Sequence, residues 1–195
     1  MELEQIKLFI SLFLTLSQQE WDFLSQNLRL YHLKKGEKLQ VAGTVCNEIA
    51  FCNKGVLRAY YMNGTKQVVE EFFTENNYVA DYTSFLSQQE GVWNIEALSD
   101  CELILLSYEG LQKCYETFPS FQKYGRIMAE YLFIRFYLKS NSLLIESPQQ
   151  RFINLAKSRP DILQRVPQYM IASYLGITPE ALSRIKSKKI LRRQS

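Results

Sequence analysis

Two kinds of hydrophobic pattern divide the chain. Between residues 28 and 107 the apolar residues fall in short runs that turn-forming residues separate. Asn63-Gly64 is a strong signal for a two-residue hairpin turn, here joining one strand over Val56–Met62 to another over Lys66–Phe73. A further strand pair is predicted within Ala97–Ser107. Many short strands at this spacing predict an antiparallel β-roll or barrel.

Helical spacing governs the rest of the chain. Ser17-Gln18-Gln19-Glu20 and Ser147-Pro148-Gln149-Gln150 both have the sequence of a helix start with a capping box. Between them, the residues from Pro119 to Glu146 predict one long helix. In its middle, over Ala129–Leu138, only two charged residues interrupt the apolar side chains. Such a helix must be covered on more than one side. One side can pack on the β-roll, and the other needs the C-terminal segment or a second copy of the same helix.

Composition narrows the chemistry that the chain can perform. With 195 residues, 47% of them hydrophobic and 22% charged, it is an ordinary globular protein of one or two domains. The single histidine, His32, excludes a His-rich metal site and makes a zinc hydrolase or a metal-dependent cupin enzyme untenable. The four cysteines show no Cys-x-x-Cys spacing, which indicates buried reduced thiols. We therefore expect no cofactor, no metal and no enzymatic activity.

Charge is distributed unevenly along the chain. Residues 147–195 carry ten Lys/Arg against two acidic residues, a net charge of +8, so that the remaining residues carry −5 of the overall +3. This asymmetry indicates that the C-terminal part meets a polyanion. The apolar stretch over Leu8–Leu16 lacks the flanks of a secretion signal, and no run approaches the length of a membrane helix. We expect a cytoplasmic protein without a membrane partner.

The segment Val166–Lys188 has the pattern of a helix-turn-helix. Ile171 and Ala172 lie on the inner face of the first helix, where the small Ala172 lets the second helix approach closely. Gly176 suits the left-handed conformation of the turn. Thr178 caps the second helix, and Leu182 with Ile185 faces inward at helical spacing. A purely structural pair of helices is the alternative interpretation.

The outward side of the second helix carries the groups that read DNA. In such motifs the N-terminal residues of this helix reach base edges in the major groove. Arg184 has the geometry to donate twice to guanine, and Glu180 accepts from cytosine. The remaining candidates suit helix positioning and phosphate contacts; the full set of predicted DNA-binding residues is Thr178, Glu180, Ser183, Arg184, Lys186 and Lys188. Arg192 and Arg193 lie further along the chain and are expected to meet phosphates or nothing.

Together these motifs make the chain resemble the Crp/Fnr transcription regulators over nearly its whole length. The segments over 16–27, 33–41 and 48–61 resemble the leading helix and early roll strands of that family, and 119–146 resembles its dimer helix. Glu180-x-x-Ser183-Arg184 looks like the E-x-x-S-R of the Fnr branch, and the closest likeness is to the short Bacteroidetes members with a degenerate sensor. The resemblance implies a homodimer that binds twofold-symmetric DNA and recruits or excludes RNA polymerase.

The chain departs from the family pattern in its sensor. The family's nucleotide cassette has Gly-Glu, followed by an arginine that meets the cyclic phosphate. Here Ala80-Asp81 replaces Gly-Glu, and the arginine is missing around Gly91-Val92-Trp93. Without that cation a buried phosphodiester would cost several kcal/mol, so cyclic AMP is not the expected effector. No Cys precedes Cys46, so the iron–sulfur cysteines of the Fnr branch are missing as well. After Ile190 five residues remain, too few for the β-wing that follows the motif in the family.

Aromatic side chains then offer the best candidates for a ligand pocket in the roll. They either hold an apolar effector or simply fill the old nucleotide cavity, and Arg58 pairs either with an anion or, as we favour, with a local carboxylate. The tentative lining is Arg58, Tyr60, Phe72, Tyr82, Phe85 and Trp93.

We therefore predict an α+β protein with an antiparallel β-roll, a long dimerisation helix and a C-terminal helix-turn-helix. The predicted boundaries are 1–118, 119–146 and 147–195, and dimerisation is assigned to Met128, Tyr131, Ile134 and Leu138. The predicted function is that of a homodimeric transcription regulator, with RNA polymerase as a partner and an effector other than cyclic AMP or none. The alternative is a ligand-binding signalling module of the same fold that does not bind DNA.

Overall fold

The computed structural model describes residues 3–191, with side chains as far as Ser187. The strands are β1 Leu28–Leu33, β2 Lys38–Gln40, β3 Glu48–Lys54, β4 Leu57–Asn63, β5 Lys66–Phe73, β6 Tyr78–Val79, β7 Asn94–Ala97 and β8 Cys101–Ser107. The helices are α1 Glu4–Ser11, α2 Gln18–Gln26, α3 Tyr82–Ser87, α4 Tyr108–Thr117, α5 Pro119–Ile145, α6 Pro148–Ser158, α7 Pro160–Arg165, α8 Gln168–Tyr174 and α9 Pro179–Leu191.

Two antiparallel sheets face each other and form a roll. One has the strand order β1-β8-β3-β6 and the other β2-β7-β4-β5. The predicted hairpin is confirmed: β4 pairs with β5 up to Asn63 opposite Lys66, and Gly64 has a φ of 60° in the turn. The predicted α+β class with an antiparallel β-roll, a long helix and C-terminal helices is confirmed.

The strand pair predicted within Ala97–Ser107 is wrong. Only β8 lies within that range, because β7 ends at Ala97. Strand β7 pairs with β2 and β4, whereas β8 pairs with β1 and β3 in the other sheet. Ser99-Asp100 is therefore a crossover between the sheets and not a hairpin turn. Gly55 packs against this crossover so closely that a Cβ on it would stand 2.8 Å from the carbonyl oxygen of Asp100. Partner choice is decided by strands distant in sequence, which local patterning does not show.

Alternation along the strands separates two apolar layers. On β8, Leu103 and Leu105 lie in the interior of the roll, whereas Ile104 faces outward onto α1, α4 and α5. The interior is filled by side chains that are at most 6% exposed, among them Leu57 and Phe73. The roll is thus covered by helices on the outside of one sheet and packed within.

The helix starts follow the predicted capping chemistry. Ser17 and Glu20 form a reciprocal capping box at α2, and the hydroxyl of Ser147 accepts from the backbone N–H of Gln150 at α6. The long helix α5 begins at Pro119, as predicted, and ends one residue early at Ile145. Four helices, α1, α3, α4 and α7, have no counterpart in the prediction.

The C-terminal helices pack onto the edge strand β5. One apolar cluster contains Phe72 of β5 together with the buried residues of α6 to α9, such as Ile171 and Leu182. At the edge of the sheet, the backbone N–H of Val69 donates to the hydroxyl of Ser173 on α8 at 3.0 Å. An edge strand presents unpaired backbone groups, and α8 covers them here.

Ion pairs surround this apolar contact. Glu71 accepts from Arg159 at 3.0 Å and from Arg135 at 3.4 Å, with its carboxylate only 10% exposed. Next to it, Arg165 donates to both carboxylate oxygens of Glu75. These hydrogen bonds lower the pKa of Glu75 to about 2. Two carboxylates, that of Glu71 in β5 and that of Glu75 in the turn after it, thus bind arginines of the long helix and of the C-terminal helices.

We expect Glu71→Gln to lower the free energy of unfolding by about 2 kcal/mol, because it leaves two partly buried arginines without a countercharge. Glu48→Gln is the matched control, since Glu48 pairs with Arg29 at the surface, and it should cost less than about 1 kcal/mol. Urea denaturation of both variants measures the difference. Equal losses would contradict the role that we assign to Glu71.

Candidate nucleic-acid interface

Helices α8 and α9 form a helix-turn-helix. Gly176 has a φ of 66° and donates to the carbonyl of Ser173, and Ile177 donates to the carbonyl of Ala172. These bonds close the end of α8, as the left-handed glycine allows. The hydroxyl of Thr178 then accepts from the backbone N–H of Ala181 at the start of α9. The turn has the chemistry that the sequence predicted.

The two helices pack through the side chains that were predicted to face inward. Ile171 and Ala172 are completely buried, Leu182 is 1% exposed, and Ile185 packs against the same cluster. Because Ala172 is small, α9 lies close against α8. This packing fixes which side of α9 faces outward.

The outer side of α9 is polar and exposed. Glu180, Ser183 and Arg184 are all exposed there, together with Thr178 at the cap. The backbone N–H of Glu180, the hydroxyl of Thr178 and the charge of Arg184 lower the pKa of the Glu180 carboxyl. At neutral pH this face therefore presents a carboxylate acceptor and a guanidinium donor one helical turn apart.

The structure describes only some of the remaining residues that were predicted to contact DNA. Lys186 is half-buried and donates to the side-chain oxygen of Gln168 at 2.8 Å, which ties α9 to the start of α8. The side chain of Lys188 and all of Arg192 and Arg193 lie outside the described residues.

One residue that matters for the motif was missed in the sequence. Arg151 on α6 donates from Nε to the carbonyl of Leu175 at the end of α8, and from Nη1 to the carbonyl of Glu146 at the end of α5. It thereby joins the long helix to the helix-turn-helix. Since both acceptors are backbone carbonyls, no residue-type pattern in the sequence points to this role.

The mouth of the roll offers little to an anionic nucleotide. A cavity of about 180 Å³ opens there, lined by Leu39, Gln40, Val45, Cys46, Asn47, Glu48, Val79, Ala80 and Ile95. This lining contains a carboxylate and no lysine or arginine. A phosphodiester entering it would thus meet no countercharge.

The nearby loop already holds an anion of its own. The buried carboxylate of Asp81 accepts from the backbone N–H groups of Ser84, Val92 and Trp93 at 3.1 to 3.3 Å. Gly91 lies so close that a Cβ on it would stand 2.4 Å from the carboxylate. Asp81 thus uses donors that would otherwise be free for a ligand.

The tentative ligand-pocket residues do not form one pocket. Arg58 is buried beside Glu96 at 2.8 Å and lies over the ring of Tyr60, which agrees with our preference for a local carboxylate. Phe72 points at Tyr174 beneath the C-terminal helices, so its assignment to the roll cavity is wrong.

The other three aromatic residues are divided between two places. Phe85 belongs to a separate cluster with Cys46 and Ala80. Tyr82 and Trp93 border a groove beside α5, where the ring of Trp93 lies 6.2 Å from that of Phe136.

The long helix exposes most of the apolar side chains assigned to dimerisation. Tyr131, Ile134 and Leu138 are 43%, 55% and 61% exposed. Met128 is only 7% exposed and packs inside the protomer toward the outer face of the roll, so it is not available to a partner. Further exposed apolar residues extend the surface, namely Phe133, Tyr137, Leu144 and Ile145.

Three further findings concern the cysteines, the possible metal ligands and the helices of residues 3–191. All four cysteines are buried and unpaired, and burial raises the pKa of Cys52 to about 12. In this part of the chain no group of His, Cys, Asp and Glu is arranged to hold a metal ion. Nor is any helix in it long and apolar enough to cross a membrane.

Comparison with known proteins agrees with this architecture. Residues 30–118 match the family of the cyclic nucleotide-binding domain. A Crp/Fnr-family protein from Eubacterium rectale superposes with a TM-score of 0.70 and 16% identity, covering 91% of this chain and 85% of that one. The c-di-GMP responsive regulator CLP of Xanthomonas campestris gives 0.70 and 14%, covering 90% and 93%.

FixK2 of Bradyrhizobium japonicum gives a TM-score of 0.69 and 17% identity, covering 85% of both chains. No curated protein matches the sequence. The chain thus has the fold of the Crp/Fnr transcription regulators, which confirms the resemblance at the level of the fold.

Cyclic AMP should neither bind tightly nor raise the melting temperature, because the cavity at the mouth of the roll has no cation and Asp81 occupies the adjacent N–H groups. Titration calorimetry with the nucleotide measures this directly. Binding in the micromolar range would mean that another cation, such as Arg58 or Lys66, meets the phosphate.

Proposed function

We propose that the protein is a homodimeric transcription regulator of the Crp/Fnr type, which reads a twofold-symmetric DNA site with α9. The observation that supports this most is the exposed face of Glu180, Ser183 and Arg184 on a helix whose opposite side is fixed against α8. The fold of the structural neighbours is consistent with the same role.

Each exposed group has a distinct part in reading DNA. Arg184 donates two hydrogen bonds to a guanine, and the ionised Glu180 accepts from a cytosine. Thr178, Ser183, Lys186 and Lys188 contact phosphates or hold the helix in register. The net charge of +8 over residues 147–195 supplies the attraction to any DNA, independent of sequence.

A second copy of the chain covers the apolar side of α5. Exposed apolar patches of this extent are uncommon on monomers, and a long helix with apolar residues at positions 131, 134 and 138 suits packing against its own twofold mate. The dimer places two copies of α9 on one face, as a symmetric DNA site requires.

Regulation in this proposal does not use cyclic AMP. The roll then serves an effector of different chemistry or none, and the protein works in the cytoplasm together with RNA polymerase. A signalling module without DNA binding is the alternative, and the following experiment distinguishes it.

Replacing Arg184 by Ala should cost about 1–3 kcal/mol per half-site on a selected site and much less on random DNA, because the guanine contact is lost. Lys188→Ala should weaken both kinds of DNA similarly and lower the salt slope by about one unit. Lys123→Ala is the matched control, an exposed lysine at the start of α5.

Binding curves on both duplexes at several salt concentrations measure these effects. If Arg184→Ala loses selected and random DNA equally, α9 is not the reading helix. If no duplex binds at all, the signalling module is favoured.

Ile134→Asp and Leu138→Asp should each convert the dimer to monomer or aggregate, since a carboxylate in an apolar seam is costly to bury. Light scattering should report twice the chain mass of 22.9 kDa for the natural protein. Leu8→Asp, an equally exposed leucine on α1, should remain dimeric. A natural protein that scatters as a monomer at micromolar concentration would rule out the assembly.

A further inference from the structure

A cleft of about 410 Å³ separates the end of α5 from α6 and α8. It lies where the long helix meets the helix-turn-helix, and no residue of α9 lines it. Its volume is within the range of small-molecule sites. Leu143, Leu155 and Leu175 supply apolar walls, and Leu138, which belongs to the surface that we assign to the dimer, borders the cleft.

Three cations border this cleft, and two of them are neutralised by carboxylates. Lys139 pairs with Glu70 at 2.9 Å, and Arg159 pairs with Glu71 at 3.0 Å. Arg151 is different: within residues 3–191 no carboxylate oxygen lies within ion-pair distance of its side chain.

Arg151 also keeps donors in reserve. A guanidinium carries five N–H donors. Arg151 uses one from Nε, toward the carbonyl of Leu175, and one from Nη1, toward the carbonyl of Glu146. The other hydrogen on Nη1 and both on Nη2 have no acceptor in the part of the chain that the structure describes. The guanidinium of Arg151 is thus held in place by two carbonyls and keeps three N–H donors for a guest.

The lining contains one carboxylate, that of Glu146. It accepts from the hydroxyl of Ser142 and from the amide of Asn154. These hydrogen bonds hold the Glu146 side chain on Ser142 and Asn154, and the spare donors of Arg151 are left to a guest.

We propose that this cleft binds a small organic carboxylate. Its carboxylate oxygens accept from the spare N–H groups of Arg151, and its apolar body packs against the leucines. A carboxylate and a guanidinium form short, charge-assisted hydrogen bonds, so the charge is essential for affinity. Because Arg151 already joins the end of α5 to the end of α8, an anion bound to it acts on the residue that fixes the helix-turn-helix.

Benzoate and benzyl alcohol form a matched pair of probes, with the same ring and a different charge. We expect calorimetry on the full chain, at constant ionic strength, to give benzoate a dissociation constant in the millimolar range or below and benzyl alcohol about tenfold weaker binding. Arg151→Gln should weaken benzoate about tenfold and leave benzyl alcohol unchanged. Arg126→Gln, at an exposed arginine of α5 that pairs with Glu130, should change neither.

A second variant covers the case in which Arg151→Gln does not fold. Arg151→Lys keeps a positive charge but lacks the planar set of donors, and it should weaken benzoate about threefold without changing benzyl alcohol. Equal affinity for both probes, an absence of benzoate binding, or benzoate binding that neither variant weakens would overturn the proposal. The measurement needs no DNA, so it succeeds or fails independently of the proposed DNA-reading function.

Discussion

The carboxylate of Glu71 is the contact on which the arrangement of the two halves depends. It lies on the edge strand β5 and holds Arg159 at the end of α6 and Arg135 in the middle of α5. Both arginines bind the same carboxylate, so the long helix and the C-terminal helices are positioned relative to the same strand, β5. Since β5 is an edge strand, some of its backbone N–H groups have no partner strand. The hydroxyl of Ser173 on α8 accepts a hydrogen bond from one of these groups, that of Val69.

This docking leaves α9 free. The helix-turn-helix is held to the roll through α8, whose inner residues share an apolar cluster with Phe72. Helix α9 packs on α8 by Leu182 and Ile185 and keeps its polar side in solvent. A scaffold attached at the first helix is therefore compatible with a second helix in a major groove. At the other end Arg151 ties the same unit to α5, so both attachments act on α8 and not on the exposed face of α9.

Features with a local cause could be predicted from the sequence. The capping serines, the Asn63-Gly64 hairpin and the glycine turn of the helix-turn-helix each depend on residues within a few positions of one another. Helical periodicity likewise predicts which side chains of α8 and α9 face inward.

Features decided by distant contacts could not be predicted. The strands β7 and β8 belong to different sheets because their partners lie far away in the chain. Phe72 turns toward the C-terminal helices, and Met128 packs within the protomer, although both are apolar residues in plausible positions for other roles. Arg151 and Asp81 work through backbone groups, which leave no trace in residue types.

The central claim is that two copies of α9 read a twofold-symmetric site. Selection of bound duplexes from a random pool by the full chain, followed by hydroxyl-radical footprinting of the enriched sequence, tests it most directly. The account predicts a palindromic consensus whose half-sites lie about 34 Å apart, one helical turn of DNA, with protection on one face of the duplex. Enrichment of an asymmetric sequence with a single protected segment, or no enrichment at all, would contradict it.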